Sequence, residues 1–161
     1  MKIILPILFL FLFLINTDAK SQDFESAIGL RLGFPTSVTY KKFINETNAI
    51  EGYIGYRGSS LYNFTAISGA YQIHKDFEDV DRLQWYYGGG ASVFFFSGFG
   101  GGSSTAFGPS GYIGLSYTLE NTPINFSIDW VPTLFIGAGS VVGSSFAGSS
   151  GAIAVRYVLG S

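Results

Sequence analysis

The chain has 161 residues, enough for one domain; 47% are hydrophobic, 17% aromatic and 12% charged, with 22 Gly, one His and no Cys. A water-soluble domain carries about 25% charged residues, so this chain either hides an unusually large apolar area or faces lipid. The net charge of −2 offers no basic field for nucleic acid, and the lack of Cys excludes a disulfide scaffold, a cysteine metal site, a thiolate nucleophile and a lipidated lipoprotein cysteine.

Met1-Lys2 gives a short positive start, residues 3–15 form an apolar run, and residues 16–21 are small and polar. That order is the pattern of a secretory signal, with cleavage expected after Ala19 or Ser21. The apolar run is shorter than the 18 or so residues of a membrane-spanning helix. Residues 1–21 are therefore read as a cleaved signal peptide and 22–161 as the domain.

Beyond Gln22 no stretch keeps a helical period; strict alternation recurs instead. In 27–34, Ile28, Leu30, Leu32 and Phe34 oppose Ala27, Gly29, Arg31 and Gly33. A weaker copy follows in 37–43, with Val38 and Tyr40 against Ser37, Thr39 and Lys41. Further copies are expected at 49–57, 65–75, 83–95, 113–119, 124–130 and 152–159, making about eight strands. The connections sort by parity. Residues 44–48, 76–81 and 120–122 are compact and rich in Asn, Asp and Glu, whereas 58–60, 97–108 and 137–150 are rich in Gly and Ser and mostly longer. Short periplasmic turns and longer external loops are the outer-membrane pattern, and an even count puts both termini on one side.

The apolar face is bulky, while the opposite face is read as mainly Gly, Ala and Ser with a few charges, too small and uncharged for a solvated exterior. The expected fold is thus all-β: a single closed antiparallel up-and-down transmembrane β-barrel of about eight strands, apolar side outward, with its lumen filled. Tyr40, Tyr71, Trp85, Tyr117 and Tyr157 then fall toward the periplasmic ends of their strands. Phe34, Tyr56, Phe95 and Trp130 fall toward the external ends, and the two sets are read as interfacial girdles.

Several segments carry a family resemblance: Gly29-Leu30-Arg31-Leu32-Gly33-Phe34-Pro35, Trp85-Tyr86-Tyr87-Gly88-Gly89-Gly90, 123–132 and Arg156-Tyr157-Val158-Leu159. With these, the mature chain resembles the small outer-membrane β-barrel proteins abundant in Bacteroidetes. The resemblance implies a fold and a location and hands over no catalytic residues. The chain ends in Leu-Gly-Ser, without the terminal aromatic residue common in outer-membrane barrels.

The lumen charge network is expected to comprise Arg31, Glu51, Arg57, Asp129 and Arg156, with His74 near the periplasmic end. Charges in a narrow interior must be paired, so this set is read as structural rather than as a selectivity or proton-relay set. His74 is the only histidine, so a histidine triad needs it beside Ser68 or Asp129; there is no Gly-x-Ser-x-Gly elbow. Gly137 to Gly143 is one residue off a dinucleotide loop, Gly98 to Ser104 lacks the phosphate-loop Lys, and no metal-ligand spacing appears.

The function expected from the sequence is an outer-membrane integral barrel in a structural or surface-interaction role, without catalytic residues, cofactor or metal. It is expected to be monomeric, with outer-membrane lipid and lipopolysaccharide as surroundings and external loops as the contact region for unidentified surface partners. The alternatives are a narrow pore for small solutes, a lipid A-modifying enzyme and a secreted soluble ligand-binding barrel.

Overall fold

A computed structural model describes residues 24–58, 62–98, 102–138 and 145–160. The expected signal peptide lies outside these residues. Ten strand segments follow one another: β1 Ser26–Leu32, β2 Thr36–Phe43, β3 Asn48–Gly58, β4 Tyr62–Phe77, β5 Val80–Gly98, β6 Ser103–Thr118, β7 Ile124–Trp130, β8 Thr133–Ala138, β9 Ser145–Ala147 and β10 Gly151–Gly160.

These segments build eight staves. β7 and β8 both pair with β6 in one continuous register, interrupted at Val131-Pro132, where proline lacks a ladder N–H. β9 and β10 form the facing stave, β9 against β8 and β10 against β7, with the register shifted by one residue between them. β10 returns to pair with β1, placing Ser26 opposite Gly160, and the antiparallel ring closes with both ends of the chain on one side. The pairs Ala147–Thr133–Ser110–Gly90–Ala70–Glu51–Lys41–Ala27 lead round the ring to Val158, 11 residues beyond Ala147 on the closing stave. That stagger is the shear by which tilted strands close a barrel.

Alternation then sorts the side chains. β2 reads exposed and buried in strict turn from Thr36 to Phe43. The exposed residues are the apolar ones: Leu30 is 57% exposed and Ile54 60%, while Glu51 and Arg156 are 0% exposed. The usual distribution of a water-soluble domain is inverted.

At the end bearing the termini the turns are tight and polar. Asn45 Oδ1 accepts from the backbone N–H of Thr47 at 3.0 Å and of Asn48 at 2.7 Å, the side-chain-closed turn that Asn favours. Glu78–Asp79 link Phe77 directly to Val80. At the far end strand extends into both of the expected long loops. Ser103 to Gly108 pair with Ser92 to Ser97, so the connection expected at 97–108 shrinks to residues 99–102. Part of the connection expected at 137–150 is likewise strand, in β8 and β9. Gly and Ser concealed the period there: Ser104 and Ala106 face inward and Thr105 and Phe107 outward, an alternation carried by size rather than polarity.

Staves also differ in height. β1 and β2 have 7 and 8 residues, whereas β4, β5 and β6 have 16, 19 and 16. The wall is therefore low over the β1–β2 turn and tall opposite it.

Candidate functional site: the filled lumen

The interior divides into two layers of different chemistry. The layer nearer the termini is built from charges. Glu51 on β3 faces Lys41 directly across the β2–β3 ladder, with Lys41 Nζ 3.6 Å from Glu51 Oε2. Glu51 also accepts from Thr39 Oγ1 at 2.6 Å, from Gln72 Nε2 at 2.8 Å and from Arg156 Nη2, and Arg31 approaches to 4.0 Å. Glu51 Oε1 thus accepts two hydrogen bonds and Oε2 one, with Lys41 and Arg31 adding charge nearby, as a carboxylate withdrawn from water requires.

Asp129 on β7 is the second anionic centre. Arg31 donates to it through both terminal nitrogens at 2.8 and 2.7 Å, in the fork geometry that suits a guanidinium and a carboxylate. β10 lies between β1 and β7, and its inward Ala152 and Ala154 are short enough for Arg31 to pass over. Tyr86 OH donates to Asp129 Oδ2 at 2.5 Å. Gly114 makes room for that phenol, because a Cβ there would stand 2.8 Å from Tyr86 Cζ and 2.6 Å from Asp129 Cβ. Arg156 completes the layer, donating to Ser127 Oγ at 2.8 Å and Asn125 Oδ1 at 3.3 Å. Gly29, opposite Arg156, lets the strands meet closely; a Cβ there would lie 2.0 Å from Val155 O.

Among the described residues this layer holds three cationic side chains, Arg31, Lys41 and Arg156, against two carboxylates, Glu51 and Asp129. Aromatic faces take up the imbalance. Lys41 Nζ lies 4.6 Å from the Tyr86 ring centroid, and Arg31 lies 5.1 Å over Tyr53.

His74 sits below, buried, stacked on Tyr86 at 4.7 Å and edge-on to Phe43 at 4.8 Å. Its ring nitrogens face Gln84 Oε1 at 3.0 Å and Gln72 Oε1 at 3.3 Å. The triad partners considered from sequence are committed elsewhere. Ser68 bonds Ser92 at 2.7 Å, and Asp129 holds Arg31 and Tyr86.

The far layer is aromatic. Phe64, Phe94, Phe96 and Phe135 pack with Ala66 and Ala106 inside the tall wall, with Phe94–Phe135 centroids 4.7 Å apart. Between the layers, Tyr53 and Tyr112 share a hydrogen bond of 2.6 Å, as do Ser110 and Thr133 at 2.8 Å. A cavity of about 20 Å³ is lined there by Arg31, Tyr53, Ser68, Ser92, Phe94 and Thr133, room for about one water molecule.

Four residues of the expected network, Arg31, Glu51, Asp129 and Arg156, meet in the charged layer, and His74 lies beneath it. Arg57 does not join them. β2 begins at Thr36, opposite Tyr56, so Arg57 stands past the top of its neighbour, exposed, its guanidinium 4.6 Å over the Phe34 ring. Lys41 was missed, although alternation already put it on the inward face with Thr39; a weak strand pattern hid it. The interior aromatics were missed too, because Tyr53 and Phe94 break the rule that the inward face is small. Of the expected girdle, Tyr40, Tyr71, Tyr117, Tyr157 and Trp130 are exposed on the outer face, and Trp85, half-buried, stacks on Tyr87 at 5.6 Å.

No family model matches the chain, and no curated protein matches it in sequence. Its fold is similar to the crystal structure of Neisserial surface protein A, with a TM-score of 0.54 at 17% identity over 83% of this chain and 93% of that one. The likeness is one of fold.

Proposed function

We propose that the protein is an integral barrel of the bacterial outer membrane, exported by a cleavable signal peptide, with a structural or surface-interaction role and no catalytic activity. The observation that carries this reading is the inverted wall. Ile, Leu, Val and aromatic side chains stand exposed on every stave while Arg31, Lys41, Glu51, Asp129 and Arg156 are sealed within. Exposed apolar surface on that scale is stable only against hydrocarbon. The similarity of fold to Neisserial surface protein A supports the same reading. The tyrosines and tryptophans of the outer face suit headgroup depth.

A filled lumen favours a wall over a conduit. The charged layer crosses the interior with its two carboxylates held by Arg31, Arg156 and Gln72, and the aromatic layer covers it. The pairing of Ser68 with Ser92 and of His74 with two glutamines argues against acyl-transfer chemistry on lipid A.

Membrane fractionation combined with a heat-modifiability gel tests the location and the fold. The protein is expected in the outer-membrane fraction, migrating faster in SDS before boiling than after. Recovery from the periplasm without detergent would overturn the reading. Discrete conductance steps in a planar bilayer would remove the filled lumen.

A further inference from the structure

Beneath the charged layer, on the side of β1 to β3, the staves do not fill the lumen by themselves. The inward residues at that level are Ala27, Phe43 and Ala49, all buried. An alanine carries only a Cβ into the bore, so two of these three positions leave space. That space borders the polar interior. Ala27 stands across the ladder from Lys41, Ala49 stands across from Gln72, and the Phe43 ring is edge-on to His74 at 4.8 Å.

The ring that occupies the space comes from outside the ladders. Phe24 precedes β1, yet it is buried against Ala27, Phe43 and Ala49, with Val158 beside them. It meets Phe43 edge-on at 5.1 Å. The wall is bulged where the chain turns in: Ser26 faces Gly160 whereas Ala27 faces Val158, so Leu159 is skipped. Arg31, Tyr86, Phe64 and Phe94 fill the lumen from residues paired to a strand on both sides. Phe24 has no such hold. Behind it, Glu25 O accepts from the backbone N–H of Phe43 at 2.9 Å, and the Glu25 carboxylate meets Lys42 at 3.9 Å in an exposed pair, which adds little.

We infer that Phe24 is a displaceable stopper. Seated, it closes the periplasmic mouth of the lumen; unseated, it admits water and small solutes toward Lys41 and His74 while the staves stay paired. The inference rests on the exported outer-membrane reading above, in which cleavage after Ala19 or Ser21 leaves Phe24 close to a free chain end. A segment near an end, outside the ladders and held by few bonds, opens at a lower free energy than the barrel unfolds.

The chain has no Cys, so one introduced thiol reports access without background. Ala49→Cys puts that thiol against Phe24, and Ala66→Cys puts a control thiol in the aromatic layer at the other end. The purified, folded protein in detergent is exposed to a small methanethiosulfonate reagent, and labelling is read by intact mass. The thiol at 49 is expected to label clearly faster than the one at 66. Adding Phe24→Ala should speed labelling at 49 about a hundredfold, the scale of truncating a buried phenylalanine, and leave 66 unchanged. Phe24→Leu, which keeps an apolar stopper, should raise it no more than about tenfold. No gain at 49 with Phe24→Ala overturns the inference, and so does an equal gain at 66, which would mark general loosening. Equal rates at 49 and 66 with Phe24 in place would overturn it as well. Heat-modifiability gels confirm that each variant is folded. Flotation of the unaltered protein from cells separates the two readings: a barrel that floats with the outer membrane but whose thiol at 49 ignores Phe24 sinks only this one.

Discussion

The two layers of the lumen fill the same tube by opposite means. Near the termini, Glu51 and Asp129 gather Arg31, Lys41 and Arg156 through directed charge contacts between particular atoms. At the far end, Phe64, Phe94, Phe96 and Phe135 occupy a similar space through ring packing, in which any atom of the right size serves. Complementarity of charge tolerates no exchange of chemistry at constant volume; complementarity of shape tolerates it readily. The charged layer therefore specifies the register of distant staves, joining β1 to β7 and β3 to β10, while the aromatic layer fills the tall part of the wall with little demand on which residue does it.

Swaps that keep volume and change chemistry test this difference most directly, and Glu51→Gln is the largest. It keeps the shape and removes the charge that Arg156, Lys41 and Arg31 surround. Leaving buried cations uncompensated costs about 3–5 kcal/mol. Urea unfolding in detergent should report a loss of that size, with a matching fall in the temperature at which the SDS-resistant form disappears. A loss under about 1 kcal/mol would show that the charged layer is as forgiving as the aromatic one.

Arg31→Met comes next, somewhat milder because Asp129 keeps Tyr86 as a donor. The double variant Arg31→Met with Asp129→Leu should recover most of the loss, since replacing a buried pair with apolar residues is neutral or better. A double variant no more stable than the single one would show that Asp129 serves the layer beyond its bond to Arg31.

The outward half of this architecture was legible in the sequence, and the inward half only in part. Alternation of Ile, Leu and Val with small or polar residues located all eight staves, because the outward face must be apolar at every level. Nothing comparable governs the inward face, which accepts any group that finds a partner. Asp129 and Arg31 were legible as charges on an otherwise apolar pattern. Lys41 was lost in a strand with only two large outward residues, Val38 and Tyr40. Arg57 shares the parity of Glu51 and was assigned inward for that reason. Only the relative height of β2 and β3 reveals that its wall has ended. Stave height depends on pairing partners far apart in sequence, so a single strand cannot disclose it. For the same reason residues 103–108 passed for loop: Ser and Gly carry no contrast, and their place is given by β5 opposite.

Tyr86→Phe isolates one directed contact from its packing. The ring that stacks on His74 and underlies Lys41 remains, and only the hydroxyl bonded to Asp129 is lost. A hydrogen bond to a charged group contributes about 1.5–3 kcal/mol, and unfolding should show a destabilisation in that range. A change near zero would mean that Arg31 alone satisfies Asp129.

The smallest effect is expected at Phe94, and it bears most directly on the contrast. Phe94 lies 4.7 Å from Phe135 and 5.8 Å from Phe64, yet none of its atoms has a polar obligation. Gly108 stands against it, since a Cβ there would come within 2.7 Å of the Phe94 ring. A somewhat smaller apolar side chain therefore relieves a tight wall while it thins the packing. Phe94→Leu should cost less than about 1.5 kcal/mol, against about 3 kcal/mol or more for Phe94→Ala, where a cavity opens. The ratio between these two losses is the informative quantity. If leucine costs as much as alanine, the aromatic layer is as specific in shape as the lower layer is in charge, and the two fillings obey one rule.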